Sequence, residues 1–148
     1  MMSEETLLSV KDLKVHFPLK KRALTGAKSF VYAVDGVNLK VNKGKTFGIV
    51  GESGSGKTTT ALAVMRLVPI TSGAITLGKF RLDQLQGEEL RRARRPMQII
   101  FQDPYSSLNP RVRAGAIVRE PMDLMNVGEK SERVDRVAEL FRQVGLRP

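Results

Sequence analysis

The sequence predicts an α/β fold in which strand-like segments come first, a glycine-rich loop and a helix follow, and the last third is mainly helical. Three observations predict this order. Apolar and polar residues alternate along residues 6–17, as in a half-buried strand. Residues 51–58 (GESGSGKT) join a short apolar run to a helical segment. In residues 134–144, apolar residues recur at the spacing of one helix face.

The segments before the loop predict strands and turns. Residues 18–30 (PLKKRALTGAKSF) combine proline, glycine and several basic residues, which is typical of an exposed loop. Residues 31–41 (VYAVDGVNLKV) supply one or two further strand-like runs, and residues 42–45 (NKGK) form a turn. Residues 46–50 (TFGIV) are a short apolar run that ends at glycine, which predicts a buried strand.

The segments after the loop alternate between helices and strands. We predict a helix over about residues 57–68, an outer strand at residues 74–77, a short basic helix at residues 87–95 and another strand at residues 97–102 (MQIIFQ). Residues 116–125 predict a helix that Pro121 interrupts. The last helix has Ser131 as its expected N-cap and Gly145 as its C-terminal cap. Its apolar face consists of Val134, Val137, Ala138, Phe141 and Val144.

The loop at residues 51–58 matches G-x-x-x-x-G-K-[ST], the pattern of a phosphate-binding loop, between a predicted strand and a helix. Its glycines permit a tight backbone path that aims successive N–H groups at one anion, and the helix N-terminus adds its dipole. We expect Lys57 to reach the β- and γ-phosphates of a nucleotide, Thr58 to offer its hydroxyl to Mg²⁺, and Thr59 to contact the α-phosphate. The spacing does not fit the dinucleotide-binding pattern G-x-G-x-x-G.

Charge and composition limit the possible partners. The 148 residues carry a net charge of +10 and no cysteine, which excludes disulfides and thiolate metal sites. Basic residues cluster at residues 19–28 and 91–95. Neither cluster contains an aromatic residue that could stack on bases. We therefore favour solvated surfaces over a nucleic-acid partner, and attraction of ATP or acidic lipid is the third possibility.

The N-terminal residues (MMSEETLLSV) lack the basic and apolar regions of a secretory signal. No apolar stretch approaches the roughly 18 residues that a membrane-spanning helix needs. These patterns predict a cytosolic chain, unless a partner holds it at a membrane.

Three blocks of the sequence resemble the ATP-binding subunits of ABC transporters. Residues 31–60 are similar to that family's strand pair, turn and phosphate loop. Residues 72–111 contain FQDP, which resembles the family's Q-loop, and residues 136–146 resemble the helix that leads to its signature motif. The string IIFQDPYSSLNPR (residues 99–111) is similar to the oligopeptide and dipeptide import branch. The resemblance covers nearly the whole chain.

This resemblance implies a P-loop NTPase core with N-terminal antiparallel strands and the start of a helical subdomain. The nucleotide-binding core with its β-subdomain is expected at about residues 1–104, and the helical subdomain is expected to start at about residues 105–148. Central strands of the core sheet would come from outside the chain. We expect such a partial sheet to leave apolar faces and edges exposed, and the chain to be marginally stable.

The resemblance also implies ATP and Mg²⁺ as ligands. Gln102 corresponds to the Q-loop glutamine, which contacts Mg²⁺ or the attacking water and reports the nucleotide state to the membrane subunit. Phe17 is the expected adenine-stacking aromatic, although Phe30 and Tyr32 compete for this role and a core position is the alternative for Phe17. The predicted nucleotide-binding residues are Phe17, Gly51, Glu52, Ser53, Gly54, Ser55, Gly56, Lys57, Thr58 and Thr59, and the predicted metal-binding residues are Thr58 and Gln102.

Three elements that the family uses for hydrolysis are absent from the sequence: an apolar strand ending in Asp-Glu, an LSGGQ-like signature and a downstream switch histidine. The only histidine, His16, precedes the loop, and we interpret it as a strand-surface residue. The resemblance therefore implies the N-terminal part of an ATPase domain of a peptide importer, which binds ATP but hydrolyses little or none unaided.

The implied partners are the transporter's transmembrane subunits and a second ATP-binding subunit, in a head-to-tail dimer that sandwiches ATP. The implied location is the cytoplasmic side of the cell membrane, and no nucleic acid is expected. Two alternatives remain open. One is a non-catalytic nucleotide-binding or docking module that contacts membrane subunits through residues 102–113. The other is a basic nucleic-acid binder that uses residues 91–95.

Overall fold

The computed structural model describes residues 5–19, 29–103 and 107–148. The chain divides into two compact units, Met1–Gln98 and Ile99–Pro148. The first contains strands β1 (Thr6–Pro18) and β2 (Phe30–Asn42), helix α1 (Lys57–Val64), strands β3 (Ser72–Leu77) and β4 (Phe80–Arg81), and helix α2 (Gly87–Ala93). The second contains helix α3 (Ala114–Met125), a 3₁₀ turn (Lys130–Glu132) and helix α4 (Arg133–Gln143).

Some sequence predictions fall outside the described residues. The expected exposed loop at residues 18–30 is described only at its two ends, because residues 20–28 lie outside. The Pro of FQDP and the two residues after it, 104–106, lie outside as well. Within the described part of the chain, no helix is long and apolar enough to cross a membrane.

The four strands form one antiparallel sheet in the order β2-β1-β3-β4. This sheet confirms the predicted strands at residues 6–17, 31–41 and 74–77 and the mixed α/β class. The inward side chains of β1 alternate with outward ones, and a bulge at Asp12 (φ 46°) shifts the register between Val10 and Leu13. The Asp12 N–H donates to Asn38 Oδ1 at 2.9 Å.

The core lies between the sheet and the two short helices of the first unit. Successive side chains of a strand point to opposite faces, and the buried residues of β1 and β3 pack with those of α1 and α2. The buried apolar residues in this cluster are Val10, Leu13, Val15, Val34, Ala63, Val64, Ile75, Leu82, Leu90 and Ala93. This small aliphatic core carries the phosphate loop and the start of α1.

Two predicted strands are wrong. Residues 46–50 and 97–102 have no regular secondary structure. Val50 is 93% exposed and Ile100 is 91% exposed. A buried strand needs neighbours that accept and donate its backbone hydrogen bonds, and no described strand pairs with either segment. The apolar composition of both segments is that of a strand, but the ladder partners are missing from the described residues.

Helix α1 ends at Val64, four residues before the predicted end. Arg66 adopts a left-handed conformation (φ 56°), and its N–H donates to the Ala63 carbonyl at 2.9 Å. The Leu67 N–H then donates to Leu62 O at 2.9 Å, which completes a Schellman closure. Nη1 of Arg94, which follows α2, donates to the Met65 carbonyl at 3.3 Å. The sequence contains no glycine at this turn, so its usual stop signal is absent.

The helices of the second unit correct two predictions. Pro121 lies inside a continuous α3 and does not interrupt it: proline removes one backbone hydrogen bond, and the helix continues to Met125. Ser131 is not the N-cap of α4, because residues 130–132 form a 3₁₀ turn and Glu132 takes that position. Gly145 (φ 76°) does close α4, and Leu146 N–H donates to the Phe141 carbonyl at 2.9 Å.

A buried guanidinium joins α3 to α4. Arg133 is only 4% exposed. Its Nη1 donates to Asp123 Oδ1 at 2.8 Å, and its other nitrogens donate to the carbonyls of Val127 and Gly128, both at 3.1 Å. The Arg133 hydrogen bond lowers the pKa of the Asp123 carboxyl. All three nitrogens of the guanidinium therefore meet an acceptor, which is what a buried charge requires.

Asp83 performs a similar role at the edge of the sheet. Its Oδ1 accepts the Ile75 N–H at 2.9 Å and Arg81 Nε at 3.0 Å, and its Oδ2 accepts Arg81 Nη2 at 2.8 Å. The hydrogen bonds from Arg81 lower the pKa of the Asp83 carboxyl, in spite of its partial burial. The carboxylate thus holds β3 against the turn that follows β4.

We predict that Arg133→Ala destabilises the second unit by about 1–2 kcal/mol, because the packing of a buried side chain and its three hydrogen bonds to the α3–α4 connection are lost. Arg136→Ala on the same helix removes only an exposed pair with Glu139 and should cost less than about 0.5 kcal/mol. Amide hydrogen exchange in α4 measures both changes. Equal protection losses in the two variants would contradict the role given to Arg133.

We also predict that the stability difference between the wild-type chain and Asp83→Asn depends on pH. A carboxyl whose folded pKa lies below its unfolded value stabilises the fold fully above the unfolded pKa of about 4, and the contribution disappears as pH falls through the folded pKa. Urea unfolding from pH 6 down to pH 3 measures this difference. Glu89→Gln removes an exposed carboxylate of α2 and is the control for the loss of one negative charge.

Candidate functional site

The predicted phosphate loop borders a cleft of about 450 Å³. Residues of β2, of the segment before the loop, of the loop and of α1 line this cleft. The lining residues are Val37, Asn38, Leu39, Phe47, Gly48, Ile49, Val50, Gly51, Ser55, Lys57 and Thr60. Its walls are mostly apolar, and β2, the loop and α1 each supply polar groups, which is the usual composition of a small-molecule site.

The loop touches the sheet at Gly56. This residue is the N-cap of α1 and has φ 88°, a conformation that residues with a Cβ rarely adopt. A Cβ built there would lie 2.3 Å from the Ala33 carbonyl oxygen. The Gly56 carbonyl in turn accepts the Thr60 N–H at 2.8 Å and the Thr60 hydroxyl at 2.9 Å. The junction of loop and helix is therefore pressed against β2.

The remaining loop residues form a tight backbone path. The Ser55 N–H donates to the Glu52 carbonyl at 3.2 Å, and Gly54 between them is left-handed (φ 82°). A Cβ at Gly51 would lie 2.8 Å from Ser55 Oγ, so this position also has little room for a side chain. Ser53 and Glu52 are exposed on the outside of the turn.

The Lys57 ammonium folds back into the loop. Its Nζ donates to the carbonyls of Gly51 at 2.7 Å and Glu52 at 2.6 Å, and it lies 3.4 Å from Ser55 Oγ. The side chain thus crosses the concave side of the turn and brings a positive charge to it. An anion bound in the loop would meet this charge directly.

Helix α1 begins at Lys57, so the N–H groups of residues 57–59 have no carbonyl partner within the helix. The first turn contains no acidic residue that would compete with an anion. Thr58 is exposed and Thr59 is half-buried, whereas Thr60 is buried in the core. The structure therefore gathers residues 51–59 around one turn of backbone with a positive electrostatic character.

Three aromatic side chains lie at the end of the β1–β2 pair where Pro18 pairs with Phe30. Phe17 pairs with Val31, is 36% exposed and does not line the cleft, so a fully buried core position is excluded for it. Tyr32 is 64% exposed, and its ring meets the His16 ring edge-on at 4.5 Å. The His16 Nε2 also lies 3.3 Å from Asp35 Oδ1, on the surface of the strand pair. Phe30, the third aromatic, pairs with Pro18.

Gln102 belongs to the second unit and is exposed on a bend. The sequence prediction missed several residues of the cleft, namely Val37, Leu39, Phe47 and Thr60. For Thr60 a signal was available, because it follows Gly56 by four residues and so lies one helical turn below it. The apolar residues carry no such signal, since any strand shows the same alternation.

The basic segment at residues 91–95 is largely paired within the first unit. Glu88 accepts hydrogen bonds from Arg91 at 2.6 Å and from Arg92 at 3.2 Å, and these lower its pKa to about 2. Arg94 donates to the Met65 carbonyl. The local charge of α2 is therefore smaller than its composition suggests.

The G-x-x-x-x-G-K-T loop ends where helix α1 begins, and this pattern is that of a P-loop nucleotide-binding protein. The family model described as ABC transporter matches residues 34–148, and the chain belongs to this family.

Curated relatives agree with this assignment. The chain is 40% identical over 147 residues to the oligopeptide transport ATP-binding protein AppF of Bacillus subtilis, and 42% identical over 144 residues to the glutathione import ATP-binding protein GsiA of Pectobacterium atrosepticum. The matches include 99% and 97% of this chain. The chain spans 45% of the length of AppF and 23% of the length of GsiA.

Solved structures show the same fold. The ATP-binding cassette MJ0796, in a dimeric post-hydrolysis state bound to ADP and Pi, superimposes with a TM-score of 0.73 at 26% identity. The superposition covers 95% of this chain and 58% of that one. The predicted α/β class with an ABC-type core is therefore confirmed.

We predict that Gly56→Ala is more destabilising than Gly44→Ala. Both glycines have positive φ (88° and 70°), so both substitutions carry the same left-handed penalty of about 1 kcal/mol. Only at Gly56 does the new Cβ collide with backbone, and the extra cost should be about 2 kcal/mol. Urea unfolding of the two variants measures the difference, and equal costs would contradict the contact between loop and strand.

Proposed function

We propose that this chain binds ATP with Mg²⁺ as part of the energising subunit of an ABC importer for peptides. The observation that carries the proposal is the Lys57 ammonium held inside a glycine loop at the N-terminus of α1. The names of the relatives, which are transport ATP-binding proteins for oligopeptides, glutathione and peptides, support the substrate class. The nucleotide-bound cassette supports the ligand.

Each loop residue has a distinct part in this proposal. The backbone N–H groups of residues 57–59 and those of the loop, apart from the Ser55 N–H that donates to Glu52, bind phosphate oxygens. Lys57 exchanges its carbonyl partners for the β- and γ-phosphates, and Thr59 contacts the α-phosphate. Phe17 stacks on adenine, with Phe30 and Tyr32 at the same end of the strand pair as its competitors.

One residue of the first turn of α1 is a suitable ligand for Mg²⁺. Thr58 offers an exposed hydroxyl oxygen in the first turn of α1, and hard oxygen ligands are those that Mg²⁺ prefers. When bound, Mg²⁺ neutralises phosphate charge. Gln102 is the second proposed ligand and also the group that relays the nucleotide state to a membrane subunit.

We propose two partners: the transmembrane subunits of the importer and a second ATP-binding subunit that completes the site. This arrangement would place the protein on the cytoplasmic face of the membrane. The proposed role of this chain is to hold the phosphates and the metal, and its unaided hydrolysis should be very slow. The carboxylates that assist hydrolysis in the resembled family have no counterpart in its sequence.

One observation favours docking without catalysis as a second function. In residues 107–113, the apolar side chains of Leu108 and Val112 are exposed. Pull-down of the chain with importer membrane subunits, with and without ATP, separates the two proposals. If the membrane subunits capture the chain equally with and without ATP, and also capture the Lys57→Ala variant, the result favours docking without catalysis.

We predict that Lys57→Ala weakens ATP binding by about tenfold or more, because a charge-assisted contact to phosphate is lost. Lys45→Ala removes the same charge from the exposed turn before the loop and should leave the affinity within about twofold. Isothermal titration with Mg-ATP measures both variants. An affinity that both substitutions lower equally would contradict the role of Lys57.

We further predict that single-turnover hydrolysis by the purified chain is near the uncatalysed rate. A substantial rate that Lys57→Ala abolishes would contradict this prediction, because the chain would then contain a complete catalytic site.

A further inference from the structure

A second cleft, separate from the phosphate loop, lies on the face of the sheet that points away from the core. Ser9 and Lys11 of β1 flank the buried Val10, and Ala74 and Thr76 of β3 flank the buried Ile75, so all four point outward. The cleft has a volume of about 410 Å³. Its lining residues are Thr6, Leu7, Ser9, Lys11, Lys40, Ala74, Thr76, Gly78 and Arg81.

The polar side chains of this cleft are aligned by strand register. Lys40 of β2 pairs with Ser9, Ser9 pairs with Thr76 of β3, and Thr76 pairs with Arg81 of β4. Neighbouring strands lie about 4.8 Å apart, so this row extends about 14 Å across the sheet. Two hydroxyls occupy its centre and a cation stands at each end. Lys11 lies on the same face as Ser9, two residues further along β1.

The cations differ in what they contact. Arg81 is bound to Asp83 by two hydrogen bonds of 2.8 and 3.0 Å, which neutralise its charge. The ammonium groups of Lys11 and Lys40 form neither an ion pair nor a hydrogen bond with any described residue, and no carboxylate lines the cleft. Two ammonium groups therefore face a concave polar surface without a counter-charge among the described residues. Such a surface attracts anions.

We propose that this cleft binds a small anion of the phosphate class. Lys11 and Lys40 supply the charge, and the hydroxyls of Ser9 and Thr76 donate hydrogen bonds to the same anion. Two charged and two neutral donors suit the several oxygens of a phosphoryl group better than the two oxygens of a carboxylate. The cleft is larger than one phosphate, so its remaining part, toward Leu7 and Gly78, has room for the body of a phosphorylated molecule.

The proposal is independent of the phosphate loop, and a residue-resolved experiment keeps the two sites apart. Uniformly ¹⁵N-labelled chain is titrated with pyrophosphate, at an ionic strength held constant with chloride. We expect saturable amide shifts at Ser9, Lys11 and Thr76, in addition to any shifts at residues 51–59. No saturable shift at Ser9 and Thr76, or shifts of the same size in chloride alone, would overturn the proposal.

Matched variants test the charge. Lys11→Gln/Lys40→Gln should weaken the binding followed at Ser9 and Thr76 by about tenfold, because two charge-assisted contacts are lost. Lys45→Gln/Lys130→Gln removes the same charge from exposed positions outside the cleft and should change it less than about twofold. Equal weakening in both pairs would overturn the proposal. The spectra report whether each variant is folded, and the wild-type titration decides the question if one is not.

Two ligands distinguish whether the phosphoryl group belongs to a soluble molecule or to a lipid headgroup. Glycerol phosphate presents the group in solution, and vesicles of phosphatidylglycerol present it at a lipid surface. Lysine-dependent binding of glycerol phosphate assigns the site to a soluble molecule, whereas lysine-dependent sedimentation with vesicles alone assigns it to a headgroup. Binding of neither ligand, together with no response to pyrophosphate, would remove the site.

Discussion

The absence of a side chain at Gly56 is the constraint on which the candidate site depends. The Ala33 carbonyl oxygen of β2 lies 2.3 Å from where a Cβ would stand, so only glycine lets the loop approach the strand this closely. That contact sets where α1 begins. From that start, Thr60, Ala63 and Val64 fall on the buried side of the helix and join the core. The burial of α1 and the position of the loop therefore depend on the same contact, between Gly56 and the Ala33 carbonyl.

The same contact explains the electrostatics of the loop. With the helix start held against β2, the Lys57 side chain crosses the concave side of the turn and reaches the carbonyls of Gly51 and Glu52. These are contacts between a charge and neutral dipoles, so a phosphate with full negative charge is the stronger partner for the ammonium. In the proposed function, Lys57 would therefore exchange these carbonyl partners for phosphate oxygens.

Local patterns predicted the elements whose contacts lie close in the chain. The strands of the β1–β2 pair, helix α2 and the glycine stop at Gly145 all follow from alternation, charge or cap residues within a few positions. The glycine loop was predicted for the same reason, since the spacing of its glycines, lysine and threonine is itself the pattern of a phosphate-binding loop. The end of α1 was missed because Arg66 takes the left-handed position that glycine usually marks.

The failures concern segments whose structure depends on distant partners. Residues 46–50 and 97–102 have the composition of buried strands, but a strand exists only when a neighbour completes its ladder. The cleft on the outer face of the sheet could not be predicted from the sequence either. Its row of Lys40, Ser9, Thr76 and Arg81 appears only once the register of four strands is known.

The most direct test of the central claim is to follow the backbone amides of the whole chain while Mg-ATP is added, with Mg-AMP as the comparison. The account predicts large shifts at residues 51–59 with ATP and much smaller ones with AMP, because the loop binds the β- and γ-phosphates that AMP lacks. Equal responses to the two nucleotides, or shifts with ATP that leave residues 51–59 unchanged, would contradict it.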